Sequence, residues 1–97
     1  MAYEEITGIT QEFGASPQKT LSVAASIAIV ADPSREQRII ITGDTTRPPS
    51  GSEALGIPVE AGQSYAADLP ADSSIWICAP SLAIGKTTSA GLHSIAT

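Results

Sequence analysis

Residues 20–43, TLSVAASIAIVADPSREQRIIITG, carry the alternation that decides the fold. Within Thr20–Ala31, Leu21, Val23, Ile27 and Ile29 share one parity, while Ser22, Ala24, Ser26 and Ala28 share the other. A strand points successive side chains to opposite faces, so the larger set is expected to face a core. Asp32-Pro33-Ser34-Arg35 then reads as a type I turn, because proline at its second position presets φ. In the return strand, Glu36–Gly43, the residues Ile39, Ile40 and Ile41 are consecutive. A strand apolar on both faces lies in the middle of a sandwich or at a subunit contact.

Further along, Asp44–Leu55 (DTTRPPSGSEAL) is a loop, since Pro48-Pro49 cannot belong to a central strand. Loops of that length are often functional. Short β-rich runs follow at Gly56–Ala61, Ser64–Leu69 and Ser73–Ala79, with a corner at Gly62-Gln63. After Pro80, Leu82 and Ile84 suggest a strand edge, Gly85–Thr88 a turn, and Leu92–Ile95 a closing strand. Toward the N-terminus, Ile6, Ile9 and Phe13 fall at helical spacing, although Gly8 interrupts the stripe. That segment packs on its own domain, forms an arm whose three apolar groups dock on a neighbouring chain, or stays disordered. The expected fold is all-β: a small antiparallel β-sandwich or barrel, jelly-roll-like, over residues 20–97, with an extended N-terminal arm over residues 1–19.

A chain of 97 residues with 42% apolar content makes one domain that needs no metal or disulfide staple. Ten acids against five bases leave a net charge of −5, which argues against nucleic acid, because phosphate contact needs clustered Lys and Arg. No run approaches a membrane span, and the first residues lack the basic and apolar regions of a signal peptide. Synthesis in the cytoplasm is expected.

Catalytic equipment is sparse. Ile84-Gly85-Lys86-Thr87 looks like the end of a phosphate loop, but the position that needs the first glycine is Pro80, which has no N–H to donate. His93 is the single histidine, and no serine sits in a Gly-x-Ser-x-Gly elbow. One Cys and one His cannot build a four-ligand zinc site, and the acids show no calcium-loop spacing. Cys78 reads as a small buried hydrophobe in phase with Trp76. No enzyme activity, cofactor or metal is expected. Trp76 is either core or an interface anchor, since tryptophan is enriched at binding hot spots. Arg47, held outward by Pro48-Pro49, either meets a neighbouring subunit's acids or stands free in solvent.

The order of elements from Val23 to Ala79 resembles a group of small all-β proteins carried by tailed bacteriophages. The likeness rests on the Asp32-Pro33-Ser34-Arg35 turn, the aliphatic run Arg38–Ile41, a variable loop, the segment Gly56–Ser64 and a final strand Ile75–Ala79 with an aromatic. It implies a virion structural part: a capsid decoration or cement protein on the outer capsid surface, bound to the major capsid protein. The alternative is a tail- or fibre-associated attachment module. A homotrimer is expected on symmetry grounds, because a ring of identical subunits would hide the Ile39–Ile41 face. The interface residues expected on these readings are Ile6, Ile9, Phe13, Ile40, Arg47 and Trp76.

Overall fold

β-branched and small residues, punctuated by Pro, Gly and Asp turns, favour short pleated segments over helices. The computed structural model describes residues 2–96, and among them it has eight strands. They are β1 (Ala2–Ile9), β2 (Lys19–Thr20), β3 (Ala25–Val30), β4 (Gln37–Thr42), β5 (Ile57–Val59), β6 (Ser64–Leu69), β7 (Ser74–Cys78) and β8 (Thr88–Ala96). One 3₁₀ turn, Ser52–Leu55, lies in the loop between β4 and β5.

The chain runs out through β1–β4 and back through β5–β8 as one long hairpin. β1 pairs with β8, β2 with β7, β3 with β6 and β4 with β5, all antiparallel. Rolling that hairpin brings β8 beside β3 and β7 beside β4. The result is two four-stranded sheets, β1-β8-β3-β6 and β2-β7-β4-β5. This is the strand order of a jelly roll, the two-sheet form of the Greek key.

Between the sheets lies one core that includes Ile27 and Ile29 from β3, Ile39 from β4, Ile75 and Ile77 from β7, and Leu92 from β8. Gln37 is fully buried there and ties the sheets together, its Nε2 donating to the Ser89 carbonyl at 2.9 Å. The turn behaves as its residues dictate. Asp32 accepts hydrogen bonds from the Ser34 amide at 2.7 Å and the Ser34 hydroxyl at 2.5 Å.

Several expectations are corrected. Residues 1–19 are not an arm apart from a domain over 20–97, because β1 is a full edge strand of the first sheet. Nor is the Ile6/Ile9 spacing helical. Ile6 opposes Ala90 and Ile9 opposes Thr88, so one extra residue is bulged out between them. Gly8, at φ 73°, supplies the left-handed backbone that the bulge needs. A spacing of three thus turns both isoleucines inward on a strand.

Thr20–Ala31 is not one strand either. It breaks at Leu21–Ala24 as the chain crosses from the second sheet to the first, so Leu21 and Ile27 are buried while Val23 is 56% exposed. The expected strand edge at Leu82 and Ile84 is a pair of turns, with Leu82 buried and Ile84 exposed. The closing strand is present as β8, somewhat longer than expected.

Candidate interaction surface

The six residues expected at an interface all take part in contacts within the chain. Ile6 and Ile9 lie in the central core. Phe13 and Trp76 are each 1% exposed and form a second cluster with Cys78, against which Ile40 packs. Ile40 stands opposite Trp76 in the β4–β7 ladder, on the outer face of the second sheet. Residues 10–18 run over that face. The Gln18 amide donates to the Ile75 carbonyl at 2.9 Å and the Ala79 amide to Thr10 at 2.8 Å, which holds the segment down at both ends.

Arg47 does not stand free in solvent but is engaged by its own chain. Its Nε donates to the Phe13 carbonyl at 2.9 Å, and its guanidinium lies 3.7 Å from the Glu12 carboxylate. Arg47 thereby clamps the β4–β5 loop onto the segment carrying Phe13. Trp76 Nε1 donates to the Thr42 hydroxyl at 3.0 Å, so the indole is satisfied where it is buried. Burial pushes the Cys78 thiol up to about 12, with the Glu53 carboxylate adding to the effect. The Ile39–Ile41 run is therefore covered on both sides by its own chain, and the ground for a trimer that hides it falls away.

The outer face of the first sheet is different. Three cross-strand rows can be read from the pairing: Glu5–Gly91–Val30–Ser64, then Tyr3–His93–Ala28–Ala66, then Ile95–Ser26–Asp68. The floor is made of Gly, Ala and Ser. Above it the Tyr3 and His93 rings meet at 4.7 Å between centroids with a 52° tilt. Tyr3 leans across β8 so closely that a Cβ on Gly91 would lie 3.1 Å from its ring. Glycine is what lets the ring settle there.

Beside this pair opens a cleft of about 440 Å³ that runs from Tyr3 and Glu5 past Gly91 to Asp32 and Gly62. A smaller depression of about 170 Å³ continues from His93 along Ser26, Ala28 and Ile95. Asp32 fixes the far end of the cleft. Its carboxylate also accepts from the Thr88 hydroxyl, and its carbonyl accepts from the Gly62 amide at 3.1 Å. The Ser34 and Thr88 hydrogen bonds hold the Asp32 carboxyl down from 3.8 to about 2. Asp32 thus ties its own turn to the Gly62 corner through its backbone and to the start of β8 through its side chain.

No direct signal for this surface is legible in the sequence. Tyr3 and His93 sit at opposite ends of the chain and meet only because β1 and β8 pair. Gly91 was the available clue, a glycine within a closing strand where close approach is one of its usual meanings. Among the described residues, no group of three or more His, Cys, Asp and Glu side chains could hold a metal ion. No family model, curated protein or solved structure matches the chain.

Proposed function

We propose that the chain is a bacteriophage virion structural protein, a capsid decoration or cement protein that lies on the head and holds neighbouring major capsid protein subunits together. The observation that carries this reading is the contrast between the two outer sheet faces. The second sheet is covered by the chain's own residues 10–18 and Arg47, while the first presents a floor of small residues with Tyr3, His93, Val30 and Ile95 standing on or beside it. Such a face can approach another folded protein closely, and stable contacts of this kind bury on the order of 800 Å² per partner. Aromatic groups supply the contact energy in such patches, and small neighbours let the partner reach them.

The likeness of residues 23–79 to small all-β phage proteins supplies the partner class. Jelly rolls also recur in viral capsid domains, which is an argument from fold alone. A second reading places the same fold at a tail or fibre as an attachment module. The Tyr3–Gly62 cleft favours it, being within the roughly 300–1,000 Å³ of small-ligand sites. Mass spectrometry of purified virions separates the two. Copies in proportion to the major capsid protein support decoration, a handful per particle supports the tail or fibre, and absence from the particle overturns both.

A further inference from the structure

The four edge strands of the sandwich, β1, β6, β2 and β5, are not equally protected. An edge presents unpaired N–H and C=O groups, and proteins that stay single blunt it with bulges, charges, proline or extreme shortness. β1 carries Glu4, Glu5 and the Gly8 bulge, and Glu4 bridges across the side of the sandwich to Lys19 of β2 at 2.7 Å. β2 is two residues long. β5 is three residues long and contains Pro58. β6, Ser64-Tyr65-Ala66-Ala67-Asp68-Leu69, pairs with β3 without a register break and contains no Pro, Gly or Lys. Its single charge, Asp68, is already engaged by the Ser26 hydroxyl at 2.6 Å. Its inward residues Tyr65 and Leu69 are only partly buried against the core.

We infer that β6 is a pairing edge for a second copy of this chain, joined antiparallel about a two-fold axis at Ala66. The direction of the backbone groups follows from the β3–β6 ladder. The Gln63 carbonyl accepts from the Ala31 amide at 2.9 Å, so odd-numbered residues of β6 turn their backbone groups toward β3. By alternation, Ser64, Ala66 and Asp68 turn theirs outward. The Ser26–Asp68 side-chain contact fits this, because side chains lie closer at positions that do not exchange backbone bonds.

Centring the axis on Ala66 sets Ser64 against Asp68 of the second copy, a hydroxyl facing a carboxylate, and Ala66 against itself. Every outward-facing pair can then exchange both of its backbone bonds. Moving the axis to Ala67 would place Ser64 opposite Pro70, which has no N–H to give. The Ala66 register is therefore the self-complementary one. It extends the first sheet across two subunits and covers Tyr65 and Leu69 at the open side of each.

The test is made on the isolated protein in solution, so it stands or fails separately from attachment to a particle. Sedimentation across a concentration series is expected to give twice the monomer mass. Ala66 is exposed on the outer face, and Ala66→Lys or Ala66→Glu places like charges opposite each other. Each variant alone should sediment as a monomer with unchanged far-ultraviolet circular dichroism, and an equimolar mixture should recover the dimer. Amide exchange on the unaltered chain gives an arm that needs no variant to fold. The Ser64, Ala66 and Asp68 amides should slow as concentration rises. The pairing is overturned by a chain that stays monomeric at about 1 mM, by a dimer that survives in both variants, or by concentration-independent exchange at those amides. Protection that arises only on the particle would assign the edge to an extended segment of the partner protein and overturn it equally.

Discussion

Replacing Phe13 with alanine should cost about 3 kcal/mol, although Phe13 lies outside every strand. Its ring is 1% exposed and rests on Trp76, Cys78 and Ile40. Truncation of a buried phenylalanine costs about 3–5 kcal/mol, through lost transfer energy and the gap left behind. The lower end applies because residues 10–18 can settle partway, but they cannot collapse fully while Arg47 holds the Phe13 carbonyl at 2.9 Å. Against a total stability of about 5–15 kcal/mol for such a domain, that loss is large. It corresponds to a fall in Tm of roughly 12–24 °C at about 4–8 °C per kcal/mol. Urea unfolding followed by the emission of Trp76, the single tryptophan, measures it. The native emission should also shift to the red, and Cys78, fully buried in the parent protein, should become more reactive toward a disulfide reagent. Ile84→Ala, at a side chain 85% exposed, is the control and should change stability by no more than about 0.5 kcal/mol. A Phe13→Ala protein within about 1 kcal/mol of the parent, with Trp76 emission and Cys78 protection unchanged, would refute the claim that this segment closes the second sheet.

Arg47→Ala should destabilise by about 1 kcal/mol, mostly through the hydrogen bond to the Phe13 carbonyl, because the ion pair with Glu12 is solvent-exposed and weak; a loss that disappears in high salt would assign it to the ion pair instead. Asp32 has a folded pKa of about 2 against 3.8 ordinarily, so its contribution is present above about pH 4 and is lost as pH falls toward 2. The Tm gap between the parent and Asp32→Ala should therefore be constant from pH 5 to 7 and narrow below pH 4, and a gap that widens in acid would contradict the assigned hydrogen bonds. Removing residues 1–18 should prevent folding rather than release a stable domain, since it takes away β1 and Phe13 together; a cooperative melt in the truncated chain would show otherwise.

The sandwich and the strands β3 to β8 were legible because Ile27, Ile29, Ile75 and Ile77 alternate, and because Asp32–Arg35 and Gly62-Gln63 are strong turn chemistry. Both faces of the Ile39–Ile41 strand are covered, as the run required, but what covers one of them was not legible. Phe13 belongs to a segment with no period, and its place over Trp76 depends on where the chain crosses the sandwich. The first strand was obscured by its bulge, since a spacing of three reads equally as a helical face. The open face was hidden for a topological reason. Tyr3, His93, Gly91, Ala28 and Val30 share a surface only after three strands distant in sequence have paired.

Hydroxyl-radical footprinting of the chain, free and on the phage particle, tests the proposed role most directly. Lying face-on against the capsid through the first sheet predicts loss of labelling at Tyr3, His93, Val30 and Ile95 on the particle, with Leu55 and Ile84, exposed on loops elsewhere, still labelled. Full labelling of Tyr3 and His93 on the particle, or protection confined to Leu55 and Ile84, would contradict it.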